Sequence, residues 1–156
     1  QHLLKRHGRE ATIMFKEDVH EIREEVTEFY KDIHRHPEPG FMEVRTSEKI
    51  AKKLISWGYK VERIALTGLT ATLDSGKPGK TVMLRADMDC LRVQEKTNCE
   101  YQSENVGYMH ACGHDLHVTM LLYAAKILSQ HKEAFEGKIK FGLKKNLENI
   151  KKFTIL

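Results

Sequence analysis

Eight consecutive residues, 110–117, concentrate side chains that bind metal ions. Within the stretch MHACGHDLH, the imidazole, thiol and carboxyl donors are His110, Cys112, His114, Asp115 and His117. Thiolate sulfur and imidazole nitrogen are the usual donors to zinc. If the segment is extended, the period-two side chains at 110, 112 and 114 face the same way. The stretch predicts a metal site with two good ligands and a possible third, while Asp115 either caps the next helix or orients a liganding imidazole.

A second set of polar side chains follows the apolar stretch TVMLRA. Asp87 and Asp89 are two residues apart, so an extended backbone places both carboxylates on one side. Ligands of open α/β folds bind at the carboxyl ends of strands, and a buried carboxylate is costly unless it meets a cation or strong donors. The two acids therefore belong either to a ligand site or to a solvated loop after a strand.

Other polar side chains carry weaker signals. His34 and His36 flank the end of the first predicted helix, which is typical of surface or helix-terminus residues. Cys90 and Cys99 lack CxxC spacing and are interpreted as packing residues.

Apolar periodicity predicts the elements that position these residues. We predict helices over 16–34, 43–57 and 116–131, and strands over 59–66, 70–73, 81–85 and 138–141. Prolines at 37 and 39 end the first helix, and the continuous apolar run at 81–85 is typical of a strand buried on both faces. The order α-α-β-β-β-loop-α-β favours an α/β sandwich with a mixed sheet.

Composition narrows the class of protein. The chain has 156 residues, with 40% hydrophobic and 31% charged side chains, which is typical of one globular domain. The net charge is +4, but residues 137–156 alone carry +5, so the body sums to −1 and offers no basic face for nucleic acid. The apolar run at 120–125 is too short to cross a membrane. With an odd number of cysteines and no export signal, we expect free thiols or metal ligands instead of disulfides, and a cytoplasmic location.

Four motifs resemble one family of metal-dependent enzymes. HRHPEPGFMEVRTSEKIAKKLISWGY, TGLTATL, LRADMDCLRVQEKT and MHACGHDLHVTMLLYAAKIL are similar to the amidohydrolases that include hippurate hydrolases, N-acyl-amino-acid deacylases and auxin-conjugate hydrolases. These enzymes belong with the aminoacylases and zinc carboxypeptidases. The resemblance covers residues 19–141, and the RADMD and HACGHD blocks are its most specific parts.

The resemblance implies a fold, a reaction and a set of site residues. It implies a three-layer zinc-exopeptidase-like catalytic domain with a separate lid domain, and a two-metal site that hydrolyses the amide of N-acyl amino acids. Cys112 and His114 match the metal ligands, and Asp89 is the candidate catalytic acid. Three further residues would contact the ligands and not the metal itself: Asp87, Asp115 and His110. The metal would be Zn, Mn, Co or Ni, with two ions in the intact family and at most one in this chain.

The sequence departs from the family pattern in two places. Where relatives read DALP, this chain has Asp89-Cys90-Leu91-Arg92. After Phe141, the family's segment with a proline and two glutamates, one a general base and one a ligand, is replaced by FGLKKNLENIKKFTIL. We therefore expect an N-terminal extension at 1–14, a partial catalytic domain at 15–142, and a basic tail at 143–156 that reads as out-of-frame translation or as a basic helix.

Two functions remain open at this point. The first is a metal-dependent amidohydrolase whose chain is truncated, without a lid domain, and inactive by itself. The second is a non-catalytic fragment that binds one metal weakly through His110, Cys112 and His114, or none, and self-associates through an exposed apolar face.

Overall fold

The computed structural model describes residues 15–143 and contains a four-stranded mixed sheet with helices packed against it. Helical residues 15–21 lead into the first long helix. The elements are α1 (Arg23–Arg35), α2 (Val44–Ser56), β1 (Lys60–Ile64), β2 (Gly68–Asp74), β3 (Thr81–Ala86), α3 (His114–Gln130) and β4 (Lys138–Leu143). This order confirms the predicted α/β fold. The predicted extension at 1–14 and the basic tail beyond Leu143 lie outside the described residues.

The sheet has the spatial order β1-β2-β4-β3. β1 and β2 form an antiparallel hairpin, β2 pairs antiparallel with β4, and β3 pairs parallel with β4. Phe141 of β4 faces Ala71 on one side and Leu84 on the other. The last described strand, β4, therefore lies inside the sheet, between two strands that precede α3.

The prediction that β3 is buried on both faces is wrong. Only Met83 and Ala86 of this strand are buried, and Arg85 is exposed. β3 is an edge strand of the described sheet, because β4 is its one partner there. An apolar run alone does not distinguish an edge strand from a central one.

One core joins the helices to the sheet. Phe29 and Ile33 of α1, Leu54 of α2 and Leu122 of α3 pack in the same buried cluster as Phe141. The spacing of three and four residues within each helix aligns these side chains on one stripe. Fully burying an aliphatic or aromatic side chain contributes about 1.5–3 kcal/mol, so this cluster is the main source of stability. No helix among residues 15–143 is both long enough and apolar enough to cross a bilayer.

The Pro-rich turn after α1 fixes the start of α2. The carboxylate of Glu38 accepts hydrogen bonds from the backbone N–H groups of Arg45 and Thr46, at 2.9 and 2.8 Å. Glu38 thus satisfies two donors at the start of the helix that have no partner within it. The backbone carbonyl of Glu38 also accepts a 2.9 Å hydrogen bond from the Cys90 N–H, which ties the loop after β3 to this turn.

Glu25 links three helices and gives the fold a pH dependence. Its carboxylate accepts hydrogen bonds from Lys53 at 2.7 Å, from Lys126, and from the Tyr123 hydroxyl at 3.2 Å. Burial would raise the pKa of Glu25, but the hydrogen bonds and charges of the two lysines outweigh it and lower the pKa to about 2. The folded-state pKa is below the ordinary value of 4.5, so this stabilisation is present above about pH 4.5 and is lost as the pH falls towards 2.

We expect Glu25→Gln to lower the free energy of unfolding at neutral pH by about 1 kcal/mol or less, because the group is partly exposed. The difference from the original chain should shrink between pH 4.5 and 2. Urea denaturation over this pH range measures it, with Glu62→Gln at an exposed position of β1 as the matched control. A difference that stays constant as the pH falls would contradict the assignment.

Candidate metal centre

The loop after β3 and the start of α3 bring Asp89 to His114. Bridges between Pro39 and Cys90, and between Leu91 and Met109, hold the two ends of this loop in place. The Nδ1 atom of His114 lies 2.8 Å from the backbone carbonyl oxygen of Asp89 and 3.2 Å from its Oδ1 atom. A carbonyl oxygen can only accept, so Nδ1 carries the proton and donates. The Nε2 atom of His114 is thereby left with its lone pair for a ligand.

Residues 110–113 form a turn, so the condition under which residues 110, 112 and 114 would share one face is not met. The N–H of Gly113 donates to the carbonyl of His110 at 3.1 Å, and Gly113 adopts a left-handed φ of 71°. Glycine favours this conformation because it has no Cβ. As a result His110 is buried and Cys112 is exposed, and the two side chains do not share one face. α3 then begins at His114.

His110 is a buried imidazole behind the turn. It is 4% exposed, and neither ring nitrogen has a hydrogen-bond partner among the described residues. Burial lowers the pKa of His110 to about 4; the charges of His34 and His114 act in the same direction, and those of Asp115 and Asp89 oppose it. The ring is therefore neutral at pH 7.

Asp115 orients an imidazole, but the imidazole is that of His34. The cap position of α3 belongs to Gly113, so Asp115 lies in the first turn instead of capping the helix. Its Oδ1 atom accepts from the Leu116 N–H at 2.8 Å, and its Oδ2 atom lies 2.6 Å from His34 Nδ1. The other nitrogen of His34 lies 3.2 Å from Glu95 Oε1.

His34 is the residue that the sequence reasoning missed. It is 7% exposed and lies between two buried carboxylates, so it is not a surface residue at a helix end. Burial lowers the pKa of His34, but the hydrogen bonds and charges of Asp115 and Glu95 outweigh it and raise the pKa. One signal was available: His34 follows Tyr30 by four residues and Ile33 by one, on the apolar stripe of α1.

Asp87 does not bond to any other predicted site residue in the described part of the chain. It forms an ion pair with Arg85, and its side chain is a quarter exposed. The two acids therefore have different partners. Asp89 is buried and accepts a hydrogen bond from His114, whereas Asp87 forms an ion pair with Arg85 of the edge strand β3.

The residues at this turn fit a divalent metal ion. Cys112 offers an exposed thiol, and His114 offers an imidazole nitrogen whose tautomer is fixed by a backbone carbonyl. Sulfur and nitrogen donors of this kind suit zinc and neighbouring transition metals. Within residues 15–143, no third donor closes a compact cluster with this pair; the compact cluster that does exist comprises His34, Glu95 and Cys99.

Two of the three thiols, those of Cys90 and Cys112, should differ in reactivity. Cys90 is buried, and burial followed by the charge of Asp89 raises its pKa to about 11, whereas Cys112 is exposed. Only the thiolate reacts, so we expect iodoacetamide to alkylate Cys90 at least about tenfold more slowly than Cys112 at pH 8. Peptide mass spectrometry reads each site, and denaturation in urea should equalise the rates. Equal rates in the folded chain would contradict the burial of Cys90.

Comparison with known proteins finds one family model and several similar proteins. The model of peptidase family M20/M25/M40 matches residues 83–144. Thermostable carboxypeptidase 1 of Saccharolobus solfataricus is 43% identical over 127 residues, covering 80% of this chain and 32% of that protein. The N-acyl-L-amino acid amidohydrolase of Geobacillus stearothermophilus is 41% identical over 124 residues, covering 79% of this chain and 34% of that protein.

A solved structure agrees with the sequence matches. The Bacillus subtilis YXEP protein, described as a dinuclear metal-binding peptidase of the M20 family, superposes with a TM-score of 0.73 at 34% identity. The match covers 76% of this chain and 34% of that one. The chain spans about a third of the length of the curated relatives it matches. The motifs around Asp89 and His114, the mixed sheet and these matches agree that the chain corresponds to part of the catalytic domain of peptidase family M20/M25/M40.

Proposed function

We propose that this chain supplies the Cys112–His114 half of a metal centre that hydrolyses the amide bond of N-acyl amino acids. The observation that carries the proposal is the anchoring of His114: its Nδ1 donates to the Asp89 carbonyl at 2.8 Å, which leaves Nε2 available two residues from an exposed thiol. Zn, Mn, Co and Ni are the candidate ions, two in the complete centre and at most one of those two held by this chain.

The residues of the chain have separate roles in this proposal. Cys112 and His114 would hold the ion, and Asp89 acts on His114, so we assign it a positioning role. When bound, the metal supplies Lewis acidity, which polarises the amide carbonyl and activates water. The neutral His110 behind the turn adds no positive charge that would repel a cation.

The substrate class rests on what the relatives are named for. One relative is an N-acyl-L-amino acid amidohydrolase and another is a carboxypeptidase. Both names describe cleavage of a linear amide whose nitrogen belongs to an amino acid. We propose a small-molecule substrate of that type, in a cytoplasmic protein.

The general base is the missing part of the centre. The resemblance places it on a glutamate after β4, beyond the described residues. Within residues 15–143, three glutamates are held by other groups: Glu38 by backbone N–H groups of α2, Glu43 by the Thr67 hydroxyl at 2.6 Å, and Glu95 by His34. This observation favours a second candidate function, a domain that binds one metal without catalysis.

A chimaera tests the proposed reaction. Residues 15–143 would replace the matching segment of the Geobacillus stearothermophilus amidohydrolase, which supplies the remaining residues. We expect the chimaera to hydrolyse N-acyl amino acids in the presence of divalent metal, and His114→Ala to reduce kcat/KM by roughly 100-fold or more, since losing even a residue behind a ligand costs 10–100-fold.

The matched control is His20→Ala, which removes an exposed histidine of residues 15–21 and should leave hydrolysis unchanged. Hydrolysis that persists in the His114→Ala chimaera would overturn the assignment of the ligand. A folded chimaera that binds metal and does not hydrolyse these amides would favour the non-catalytic candidate.

A further inference from the structure

We propose a second divalent-metal site, formed by His34, Glu95 and Cys99 and sharing no ligand with the Cys112–His114 pair. The donors come from the last turn of α1 and from the loop after β3. An imidazole nitrogen, a carboxylate oxygen and a thiol sulfur from these residues all lie within 4.8 Å of one another. A mixed nitrogen, oxygen and sulfur set of this kind suits zinc.

The distances between the donors are close to those of a tetrahedral site. Zinc bonds of about 2.0–2.1 Å to nitrogen and oxygen and about 2.3 Å to sulfur separate the donors by roughly 3.3–3.6 Å. Glu95 Oε1 lies 3.2 Å from His34 Nε2 and 3.9 Å from Cys99 Sγ. The third separation, between donor atoms of His34 and Cys99, is within 4.8 Å, so an ion that binds all three would draw the sulfur inward.

His34 is already oriented as a metal-binding histidine. Its Nδ1 atom lies 2.6 Å from Asp115 Oδ2, so Nδ1–H donates to a carboxylate and Nε2 points at the other donors. Zinc-bound histidines almost always donate their second ring N–H to a carboxylate or carbonyl in this way. The rings of Tyr30 and Tyr101 pack against the imidazole at centroid distances of 5.8 and 5.4 Å. The orientation is thus fixed from several sides before any ion binds.

The site has a closed side and an open side. Glu95 is 2% exposed, and its Oε2 atom accepts from the Ser103 N–H at 2.7 Å, which fixes the carboxylate. Cys99 is half-buried and lies next to the exposed Thr97, whose hydroxyl is 3.3 Å from the sulfur. An ion can approach from this side, where water completes the coordination. Binding displaces the protons on His34 Nε2 and on the Cys99 thiol into solvent.

The competing explanation is a hydrogen-bonded network without an ion. In that case His34 is satisfied by Asp115 and Glu95, and Glu95 also accepts from the Thr97 hydroxyl at 2.5 Å and the Ser103 N–H at 2.7 Å. Cys99 then contributes only a 3.3 Å contact with the Thr97 hydroxyl and a long 3.9 Å contact with Glu95. The two explanations therefore differ at Cys99, because a thiolate is a strong ligand and a thiol is a weak hydrogen-bond partner.

Cobalt binding to the full chain tests the site. Cys112→Ser and His114→Ala are introduced together, which removes the other candidate pair, and Co²⁺ is added. We expect a thiolate-to-cobalt charge-transfer band in the near ultraviolet, its loss on adding Cys99→Ser, and its retention with Cys90→Ser, since Cys90 is buried away as an unreactive thiol. Cys99→Ser exchanges sulfur for oxygen at a half-exposed position, and far-ultraviolet circular dichroism checks that each variant is folded. Absence of the band, or a band that persists without Cys99, would overturn the proposal.

Discussion

Replacing His34 with alanine should lower the free energy of unfolding by about 3–5 kcal/mol in the metal-free chain at pH 7. The imidazole lies between the carboxylates of Asp115 and Glu95, at 2.6 and 3.2 Å, and both carboxylates are buried. Without the ring, two buried negative charges face a cavity, and removal of one partner from a buried ion pair costs about this much. Urea denaturation in the presence of EDTA measures the change.

A second Asp–His pair provides the matched control. His131 lies 2.7 Å from Asp18, but both side chains are partly exposed. We expect His131→Ala to cost about 1 kcal/mol, because solvent screens the pair and hydrates the remaining carboxylate. If the two variants lose equal stability, His34 is not the group that holds the buried carboxylates together.

Replacing His114 with alanine should weaken zinc binding to the Cys112 site by roughly 100-fold or more. The imidazole is one of two donors at the turn, and its Nε2 atom is the nitrogen left free by the Asp89 contact. Loss of a residue behind a ligand already lowers affinity 10–100-fold, and loss of the ligand itself costs more. Competition with a chromophoric chelator measures the affinity, in a Cys99→Ser background so that the second proposed site does not contribute.

His20→Ala in the same background separates a specific effect from a general loss of histidine. The residue is exposed on helical residues 15–21, and its removal should leave the zinc affinity unchanged. Equal affinities in all three proteins would show that zinc binds elsewhere on the chain.

Apolar periodicity was sufficient to predict the element order. Two local signals were enough here: the apolar spacing in α1 and α2, and the cluster of Pro37, Pro39 and Gly40 after α1. The structure has helices and a turn at these positions. The local signal was insufficient for β3, because burial of a strand depends on which strands pair beside it. Its single described partner, β4, lies more than fifty residues later in the chain.

The sequence indicated which residue types form the candidate site, but it did not indicate part of their spatial arrangement. Gly113 permitted either an extended segment or a left-handed turn, and the structure adopts the turn. His34 pairs with Asp115 across 81 residues and with Glu95 across 61 residues. No spacing rule reaches across such separations, so the buried network could be found only after the chain was folded.

The most direct test of the central claim is whether zinc protects the thiol of Cys112. The full chain is treated with iodoacetamide with and without excess Zn²⁺, and peptide mass spectrometry follows Cys90, Cys99 and Cys112 separately. We expect zinc to slow alkylation of Cys112 at least about tenfold, because a coordinated thiolate is not free to react. We expect His114→Ala to abolish this protection. Alkylation of Cys112 at the same rate with and without zinc, in a chain shown to be folded, would contradict the assignment of Cys112 and His114 as a metal-binding pair.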